Sequence, residues 1–356
     1  MTERKSVFGD MYRERVARYI LAHGNEPDDD YTEQIIEEFI ESPTDPSPEI
    51  TSAIVASAKS NARARRHGLA NSLNIQERSS LKSYQAFVDV AHELHRRLVT
   101  AFLEWSPETR ATSFHDIVDK EAIKPIMLLS LHSRGCAISA EIEHLYLAGY
   151  FDASRSRVRT LYESSVIGCV LAVAPSDVSA RYYASGMLER RADLSTMLSS
   201  NKELGWPEPA QEEVAEVEAH CDALLEAYGD SIRRPLGWAR PLFANRGEGA
   251  RVTFADIEEY VGDLYRIVYK MLNHSVHSGP SITAQHLVYE PSTGPIEYSS
   301  VISDTNLILG GASAFMLHLS EVVCRHVVSV TAALDEMLAL RLLIARKRRL
   351  DKELSA

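Results

Sequence analysis

The sequence predicts an all-α fold, an antiparallel bundle of long helices, and three observations support this prediction. From Ile75 onward, apolar residues recur every three or four positions, which is the spacing of one face of a helix. The connections between these periodic segments are short, and long helices joined in this way usually pack antiparallel. Apolar strand-like runs between the helices, which a parallel α/β fold requires, are absent from the sequence.

Composition indicates a globular protein of two domains, or one large domain with an appendage. The 356 residues are 45% hydrophobic and 25% charged. The formal net charge of −12, from 38 basic and 50 acidic side chains, argues against sequence-independent binding of duplex nucleic acid. It leaves room for a small local nucleic-acid site.

Cysteine usage and hydropathy predict a cytoplasmic protein with no membrane segment. The four cysteines form no CxxC pair, so we expect buried free thiols and a reducing compartment. The first residues lack the apolar core of a signal peptide. The most apolar stretches, Val166–Ala174 and Leu307–Leu319, are short for a membrane span.

Residues 1–73 are predicted to be a helical appendage, and residues 74–356 the helical-bundle core. Periodicity indicates two short amphipathic helices at 11–22 and 31–41. Three prolines between residues 43 and 48 then make a stiff linker, because proline cannot continue a helix.

Seven helices are predicted in the core from apolar periodicity and helix-end signals. Ser176-Asp177 is a typical N-cap pair for the fourth, and Thr253 caps the sixth, which Gly279-Pro280 ends. Their predicted bounds are Ile75–Trp105, Ala122–Gly149, Asp152–Ala174, Ser176–Leu204, Pro207–Tyr228, Thr253–His277 and Ser303–Arg349.

Two connections and the last helix carry further predictions. Arg233–Gly249, rich in Gly, Pro and Arg, is predicted to be a loop, and alternation around a Pro/Gly turn predicts a small β-hairpin at 286–298. The last helix has an apolar seam that would suit pairing with a second copy of the chain. The seam consists of Leu334, Met337, Leu338, Arg341, Leu342 and Ala345.

The third helix carries the clearest polar cluster. Arg155, Arg159 and Glu163 are spaced by four and share one face, which continues through Val166, Val170 and Val173. The cluster is therefore expected to be half-buried. It is either a ladder of weak surface ion pairs or an Arg/Glu pair lining an interhelical pocket.

The sixth helix ends in a second polar cluster. Its polar side holds Arg266, Lys270, Asn273 and His277, and its adjoining side holds Tyr265, Tyr269, Leu272 and Val276. His277 is either a plain C-terminal residue favoured by the helix dipole or a general acid/base. Cations beside an imidazole suit phosphodiester chemistry, because they stabilise a developing anion.

Metal and cofactor sites are not expected. Glu141-x-x-His144 has the spacing of the metal ligands in di-iron bundles, and Asp89-x-x-His92 matches that pattern less closely. His132 also lies one helical turn from Cys136. A bridged di-metal site needs a second Glu-x-x-His, which the sequence lacks. Nucleotide-binding loops, zinc-protease motifs and nucleophile elbows are also absent from the sequence.

Several short motifs occur in order: Arg159-Thr-Leu-Tyr-Glu163, then Arg181-Tyr182-Tyr183, then Tyr269-Lys-Met-Leu-Asn273 followed by His277. With them the chain resembles, over about residues 120–290, a bacterial all-helical family of unknown function. In that family, serine often stands where this chain has Asn273. The resemblance implies a cytosolic bacterial protein and supplies no activity.

The chain also resembles, more distantly, the helical ribonucleases of prokaryotic defence systems. Those enzymes place Arg and His on one helix with four to six residues between them. Here Arg266 and His274 have seven residues between them, so this chain departs from the pattern. Arg110 and His115 have the right gap, but they lie in a short polar segment.

Three functional hypotheses follow. The first is a metal-independent ribonuclease-like enzyme of phage defence: His277 is the acid/base, Arg159 and Arg266 stabilise charge, and Glu163 and Asn273 orient. The second is a module that binds a small ligand or a partner in the same interhelical cleft without catalysis. RNA or a small phosphate-bearing ligand is the partner expected at the site. The third is an oligomeric structural protein. Ligand-binding residues under the first two are Arg155, Arg181, Tyr182, Tyr269, Lys270 and His274.

Overall fold

The computed structural model of the chain confirms the all-α class. It describes residues 14–19, 52, 55–56, 75–106, 120–148, 150–247, 250–262, 266–273 and 305–355. Every regular element within these ranges is helical. The hairpin predicted at 286–298 lies outside them, as does most of the predicted appendage, of which residues 14–19 are helical.

Nine α-helices of the described residues are used below, and five of them begin and end within four residues of the predicted bounds. They are α1 Ile75–Trp105, α2 Lys120–Leu147, α3 Phe151–Val173, α4 Ser176–Leu204, α5 Gln211–Tyr228, α6 Phe254–Tyr260, α7 Arg266–Asn273, α8 Gly311–Thr331 and α9 Glu336–Leu354. α4 starts after Pro175 with no side-chain cap, so the predicted Ser176-Asp177 cap is wrong.

The chain forms two compact units. Unit 1 comprises Met1–Ala111, Leu129–Gly168 and Tyr265–Ala356, and unit 2 comprises Thr112–Leu128 and Cys169–Leu264. These two units do not test the predicted domain boundary after residue 73, which stays a prediction.

Long-range contacts give the helix directions in unit 1. Tyr84 donates to the carbonyl of Ser139 (3.2 Å), so the first half of α1 meets the second half of α2. His95, farther along α1, contacts His132, earlier on α2, which makes the two helices antiparallel. α1 and α9 are antiparallel as well, since Ser79 contacts Glu353 and Arg97 contacts Glu336.

The pair α3 and α8 runs in the same direction. Val158 lies against Gly311 at their beginnings, and Gly168 lies against Leu319 farther along both. These contacts place α3 directly on α8, with Leu161, Val166 and Phe315 buried in the core. An antiparallel arrangement of the whole bundle therefore remains a prediction.

In unit 2, α4 and α5 pack around a small core of Leu194, Val217 and Cys221. The segment predicted as a loop, 233–249, contains instead the 3-10 helix Gly237–Arg246 and begins at the last residue of another, Asp230–Arg233. Gly237 is required there, because a Cβ at this position would lie 2.3 Å from the Ser231 carbonyl oxygen. Such short, tight turns have no α-helical periodicity to predict them.

The predicted sixth helix, Thr253–His277, is wrong as a single element. α6 ends at Tyr260, and Gly262 follows with a φ of +91°, which ends a helix. α7 resumes at Arg266. The predicted cap is confirmed: Thr253 and Asp256 form a reciprocal capping box.

The predicted long last helix is also divided. A π-helical turn, Asn306–Gly310, precedes α8, and the residues after Thr331 separate α8 from α9. Ala332 there has a left-handed φ of +55°. Met337, Leu338 and Leu342 of the predicted seam are buried in this chain's own core.

One helical stretch of the described chain, Asn306–Thr331, is long and apolar enough to cross a membrane. It has 26 residues and contains an 18-residue window with a mean hydropathy of 1.7, so the predicted shortness of Leu307–Leu319 is wrong. However, 56% of that window is buried inside the protein, and a buried core helix passes the same test. The stretch is therefore weak evidence for a membrane span.

Candidate ligand-binding site

Arg159, Glu163 and Tyr269 meet in unit 1, between α3 and α7. Arg159 Nε donates to Glu163 Oε1 (3.0 Å), and Arg159 Nη2 donates to the Tyr269 hydroxyl (3.3 Å). The same hydroxyl donates to Glu163 Oε1 (3.1 Å). These three bonds form a closed triangle, which we call the Arg–Glu–Tyr triad. Two of its members come from one face of α3, as their spacing of four requires.

Aromatic packing holds Tyr269 in the triad. Its ring stacks on the buried Tyr162 ring, with centroids 5.1 Å apart, and Tyr162 meets Phe315 of α8 edge-on at 4.9 Å. The Arg159 guanidinium lies over the Tyr269 ring, 5.2 Å from its centroid. The position of Tyr269 is therefore fixed by the core as well as by its hydrogen bonds.

The Tyr269 phenol keeps its proton. Burial, the largest cause, and the adjacent Glu163 carboxylate together raise the pKa of Tyr269 above its ordinary value, although the bond from Arg159 opposes this. The phenol therefore acts as a donor to Glu163 and as an acceptor from Arg159.

Arg159 retains one nitrogen without a partner among the described residues. Nη1 is buried and makes no hydrogen bond, while Nε and Nη2 are both bonded. A buried donor left unsatisfied costs about 1–3 kcal/mol. Nη1 is therefore the one nitrogen of this guanidinium whose donors are unused among the described residues.

The structure describes some of the other residues predicted for this site. Arg155 bonds Asp152 of its own helix (3.0 Å) rather than joining the triad. Arg266 begins α7, and Lys270 is exposed on it. Asn273 ends α7, but its side chain is outside the description, and His274 and His277 lie beyond the described residues.

The predicted valine stripe on α3 is correct only in part. Val166 and Val170 are buried, as expected for a polar cluster that runs into the core. Val173, at the end of the helix, is 67% exposed.

Arg181 and Tyr182 belong to unit 2, where they make structural contacts. Arg181 bonds Asp177 one turn earlier (2.9 Å) and lies over the Tyr228 ring at 4.5 Å. Tyr182 meets Trp238 edge-on. These contacts join α4 to its neighbours in unit 2, and a ligand-binding role for the two residues stays a prediction.

Unit 1 contains a chain of hydrogen-bonded histidines that the sequence did not indicate. His132 Nδ1 lies 3.2 Å from His95 Nδ1, and His132 Nε2 lies 3.0 Å from Ser320 Oγ. The Ser320 hydroxyl donates its one proton to the Met316 carbonyl (2.7 Å), so its oxygen accepts from His132 Nε2. When His132 is neutral, its Nδ1 therefore accepts from His95 Nδ1.

No signal in the sequence joins these histidines, because His95 and Ser320 lie on helices distant in sequence from His132. Burial lowers the pKa of His132 well below its ordinary value, with further contributions from His95 and His92, and burial lowers that of His95. The one relation visible in the sequence, His132 with Cys136, is a loose contact of 3.8 Å.

In the described part of the chain, no three His, Cys, Asp or Glu side chains form a group that could hold a metal ion. Glu141, which has di-iron spacing with His144, instead pairs with Arg157 at 2.5 Å. His144 Nδ1 bonds the Ala140 carbonyl in its own helix (2.8 Å). The four cysteines are buried free thiols, as predicted.

Comparison with known proteins gives one match. A protein-family model described as a family of unknown function (DUF5677) matches residues 126–294. No curated protein and no solved structure matches the chain significantly. The matched region contains all three residues of the triad, and its description names no activity. Over residues 126–294, the chain is similar to a family of unknown function.

Proposed function

We propose that the chain binds a phosphate-bearing ligand at the Arg–Glu–Tyr triad. The observation that carries this proposal is the locked Arg159 fork, whose Nη1 has no protein acceptor in the described residues. Arginine presents a planar set of donors that suits phosphate oxygens, and a fork already oriented loses little entropy on binding.

Local charge supports the same ligand. α3 and α7 together carry five basic and two acidic side chains, a formal charge of +3, whereas the whole chain carries −12. An anion is therefore drawn to this region while most of the surface repels it. Glu163 competes with the ligand for the same guanidinium.

The test is binding of AMP and of a labelled single-stranded RNA, by calorimetry and fluorescence polarisation. We expect Arg159→Gln to weaken both about tenfold or more, since a charge-assisted bond is lost. Glu163→Gln should strengthen binding severalfold, because it removes the competing carboxylate but keeps an acceptor for Tyr269.

Arg190→Gln is the matched control, since Arg190 is an exposed arginine of unit 2 paired with Glu213. It should leave both affinities unchanged. Equal losses in Arg159→Gln and Arg190→Gln would mean that general surface charge, and not the triad, binds the ligand. Binding of AMP but not RNA would restrict the ligand to small phosphates.

The catalytic form of this proposal is a metal-independent ribonuclease-like enzyme. Its support is the triad itself, in which an arginine can stabilise a developing anion beside a carboxylate. Four residues beyond α7 in the sequence, His277 would be the acid/base, with Arg266 as a second cation and Asn273 orienting.

Cleavage of RNA in the presence of a chelator tests this form. We expect wild-type cleavage that His277→Ala abolishes and chelator does not affect. Wild-type binding without cleavage would leave the binding module as the function. Cleavage retained in His277→Ala would remove His277 from the mechanism.

The cellular setting stays part of the proposal. A cytoplasmic bacterial protein used in phage defence would match the ribonuclease form. The alternative to an enzyme or a ligand-binding module is a structural protein that forms a homo-oligomer through α9. With Met337, Leu338 and Leu342 buried, such a contact would have to use the exposed face of α9, near Ala345.

A further inference from the structure

Large exposed apolar side chains lie in pairs at two places in the described chain. Eight such side chains are exposed among the described residues, and they include Ile267 with Met271 on α7, and Leu198 with Trp206 at the end of α4. Apolar residues scattered singly over a surface are normal, whereas neighbouring ones with a polar rim mark interaction surfaces. The rim of each pair therefore indicates what the pair binds.

Ile267 and Met271 form an apolar row on α7. They are 73% and 53% exposed and lie one turn apart on the same face. Tyr269 is two residues from each, about 200° around the helix, so the row faces away from the triad. Arg266 and Lys270 adjoin the row, and α7 contains no acidic residue, so its formal charge is +2. We call Arg266, Ile267, Lys270 and Met271 the outer face of α7.

Leu198 and Trp206 lie at the end of α4. They are 47% and 53% exposed. The Trp206 N–H donates to the Asn201 carbonyl (3.1 Å), about one turn beyond Leu198, so the chain that follows α4 is held against the last turns of that helix. Tryptophan is enriched among the residues that contribute most to protein interfaces, and a backbone held in this way reduces the entropy lost on binding.

The rim of this second pair is acidic. α4 and α5 are antiparallel, because Arg190 pairs with Glu213 and the Cys221 thiol donates to the Met187 carbonyl (3.4 Å). The start of α5, with Glu212, therefore lies beside the end of α4. Residues 198–213 contain one lysine and four glutamates, a formal charge of −3. The exposed residues of this surface, which we call the α4–α5 tip, are Leu198, Glu203, Trp206, Glu208 and Glu212.

We propose that the α4–α5 tip of one copy of the chain binds the outer face of α7 of a second copy. This contact sets one apolar pair against the other and a surface of charge −3 against one of +2. Either surface bound to its own equivalent brings like charges together, which is unfavourable, so the contact joins two different surfaces. Every copy carries both of them.

A dimer formed in this way leaves one tip and one α7 face unused. Further copies can therefore add until a ring closes or a chain grows. The contact requires neither α9 nor a ligand at the triad, so it is independent of the proposed phosphate binding.

Sedimentation velocity of the full-length protein, from about 1 to 300 µM, measures this association, for which we expect a dissociation constant on the order of 10–100 µM because two small surfaces make a transient contact. Ile267→Glu and Trp206→Glu should each weaken it at least about tenfold, since each replaces an apolar contact by a carboxylate. Val173→Glu, the same kind of change at a 67% exposed position at the end of α3, is the matched control and should associate as the wild type. Circular dichroism checks that each variant keeps the helix content of the wild type.

Mixing the two weakened variants tests which surfaces pair. Ile267→Glu keeps an intact tip, and Trp206→Glu keeps an intact outer face of α7. An equimolar mixture, with one variant carrying a fluorescent label, should therefore form a heterodimer about as tightly as the wild type associates. It should stop at two chains, because no second intact pair of surfaces remains.

Three results would overturn the proposal. One is a wild type that stays monomeric at about 300 µM. Another is association that Ile267→Glu and Trp206→Glu leave unchanged, or weaken no more than Val173→Glu does. The last is a mixture of the two variants that associates no better than either variant alone, which would mean that each surface binds its own equivalent.

Discussion

At the scale of residues, the supply of donors and acceptors decides the roles in two polar groupings, the triad and the histidine chain. In the part-buried triad, Tyr269 donates to Glu163 because a carboxylate can only accept, while the phenol oxygen accepts from Arg159. In the histidine chain, the Ser320 hydroxyl donates its one proton to a backbone carbonyl, which makes His132 Nε2 the donor to Ser320. In the neutral form of His132, Nδ1 is then the acceptor from His95.

The histidine chain predicts loss of stability in acid. A base whose pKa is lowered in the folded state is protonated more readily when unfolded, so its stabilisation is present above the unfolded pKa of about 6.5 and is lost below it. The groups facing His132 are His92 and His95 of α1, Cys136 of α2 and Ser320 of α8.

Urea unfolding at pH 7.5 and 5.5 measures this effect. We expect the free energy of unfolding of the wild type to fall by about 1.4 kcal/mol more than that of His132→Gln, since pH 5.5 is one unit below the unfolded pKa. His220→Gln, at an exposed position of α5, should behave as the wild type. Parallel losses in wild type and His132→Gln would show that His132 does not titrate on unfolding.

At the scale of elements, glycines set how closely α8 approaches its neighbours. A Cβ on Gly168 of α3 would lie 2.4 Å from Leu319 Cδ1, and one on Gly135 of α2 would lie 2.8 Å from Leu319 Cδ2. Leu319 is fully buried between the two helices, so it has little room to move. The close packing places Phe315 under Tyr162, and thereby supports the triad.

Gly168→Ala is therefore expected to destabilise the fold by about 1–3 kcal/mol, the usual cost of overpacking. Gly186→Ala is the matched control: it lies within α4 with nothing within 4 Å of its Cβ, so it should stabilise by about 0.5–1 kcal/mol through helix propensity. Thermal unfolding measures both. A neutral Gly168→Ala would mean that Leu319 finds another rotamer at no cost.

At the scale of the whole molecule, an acidic chain carries a locally basic region. Under the proposed function, we expect RNA bound at the triad to gain attraction over the few phosphates that lie near α3 and α7, because the chain as a whole carries −12.

Salt dependence of RNA binding tests this picture. Neutralising one or two phosphates should give a slope of about −0.7 to −1.4 in a plot of log K against log salt concentration. Polarisation titrations at several salt concentrations measure the slope. A slope steeper than about −3 would indicate an extended basic groove elsewhere on the chain.

The sequence by itself determined the helical class, the bounds of α1 to α5 and the pairing of Arg159 with Glu163. These properties depend on residues three or four apart, and the periodicity of a helix records such neighbours directly. It did not reveal the break near Ala332, since no glycine or proline marks that position and apolar residues continue on both sides.

Only the tertiary structure decided which distant residues meet. Tyr269 reaches Arg159 from 110 residues away, Ser320 reaches His132 from 188, and Arg97 reaches Glu336 from 239. Helical spacing says which face a residue occupies but not which helix covers that face. That choice depends on how whole helices pack, where a glycine lets two backbones approach and where a buried charge finds its counterion.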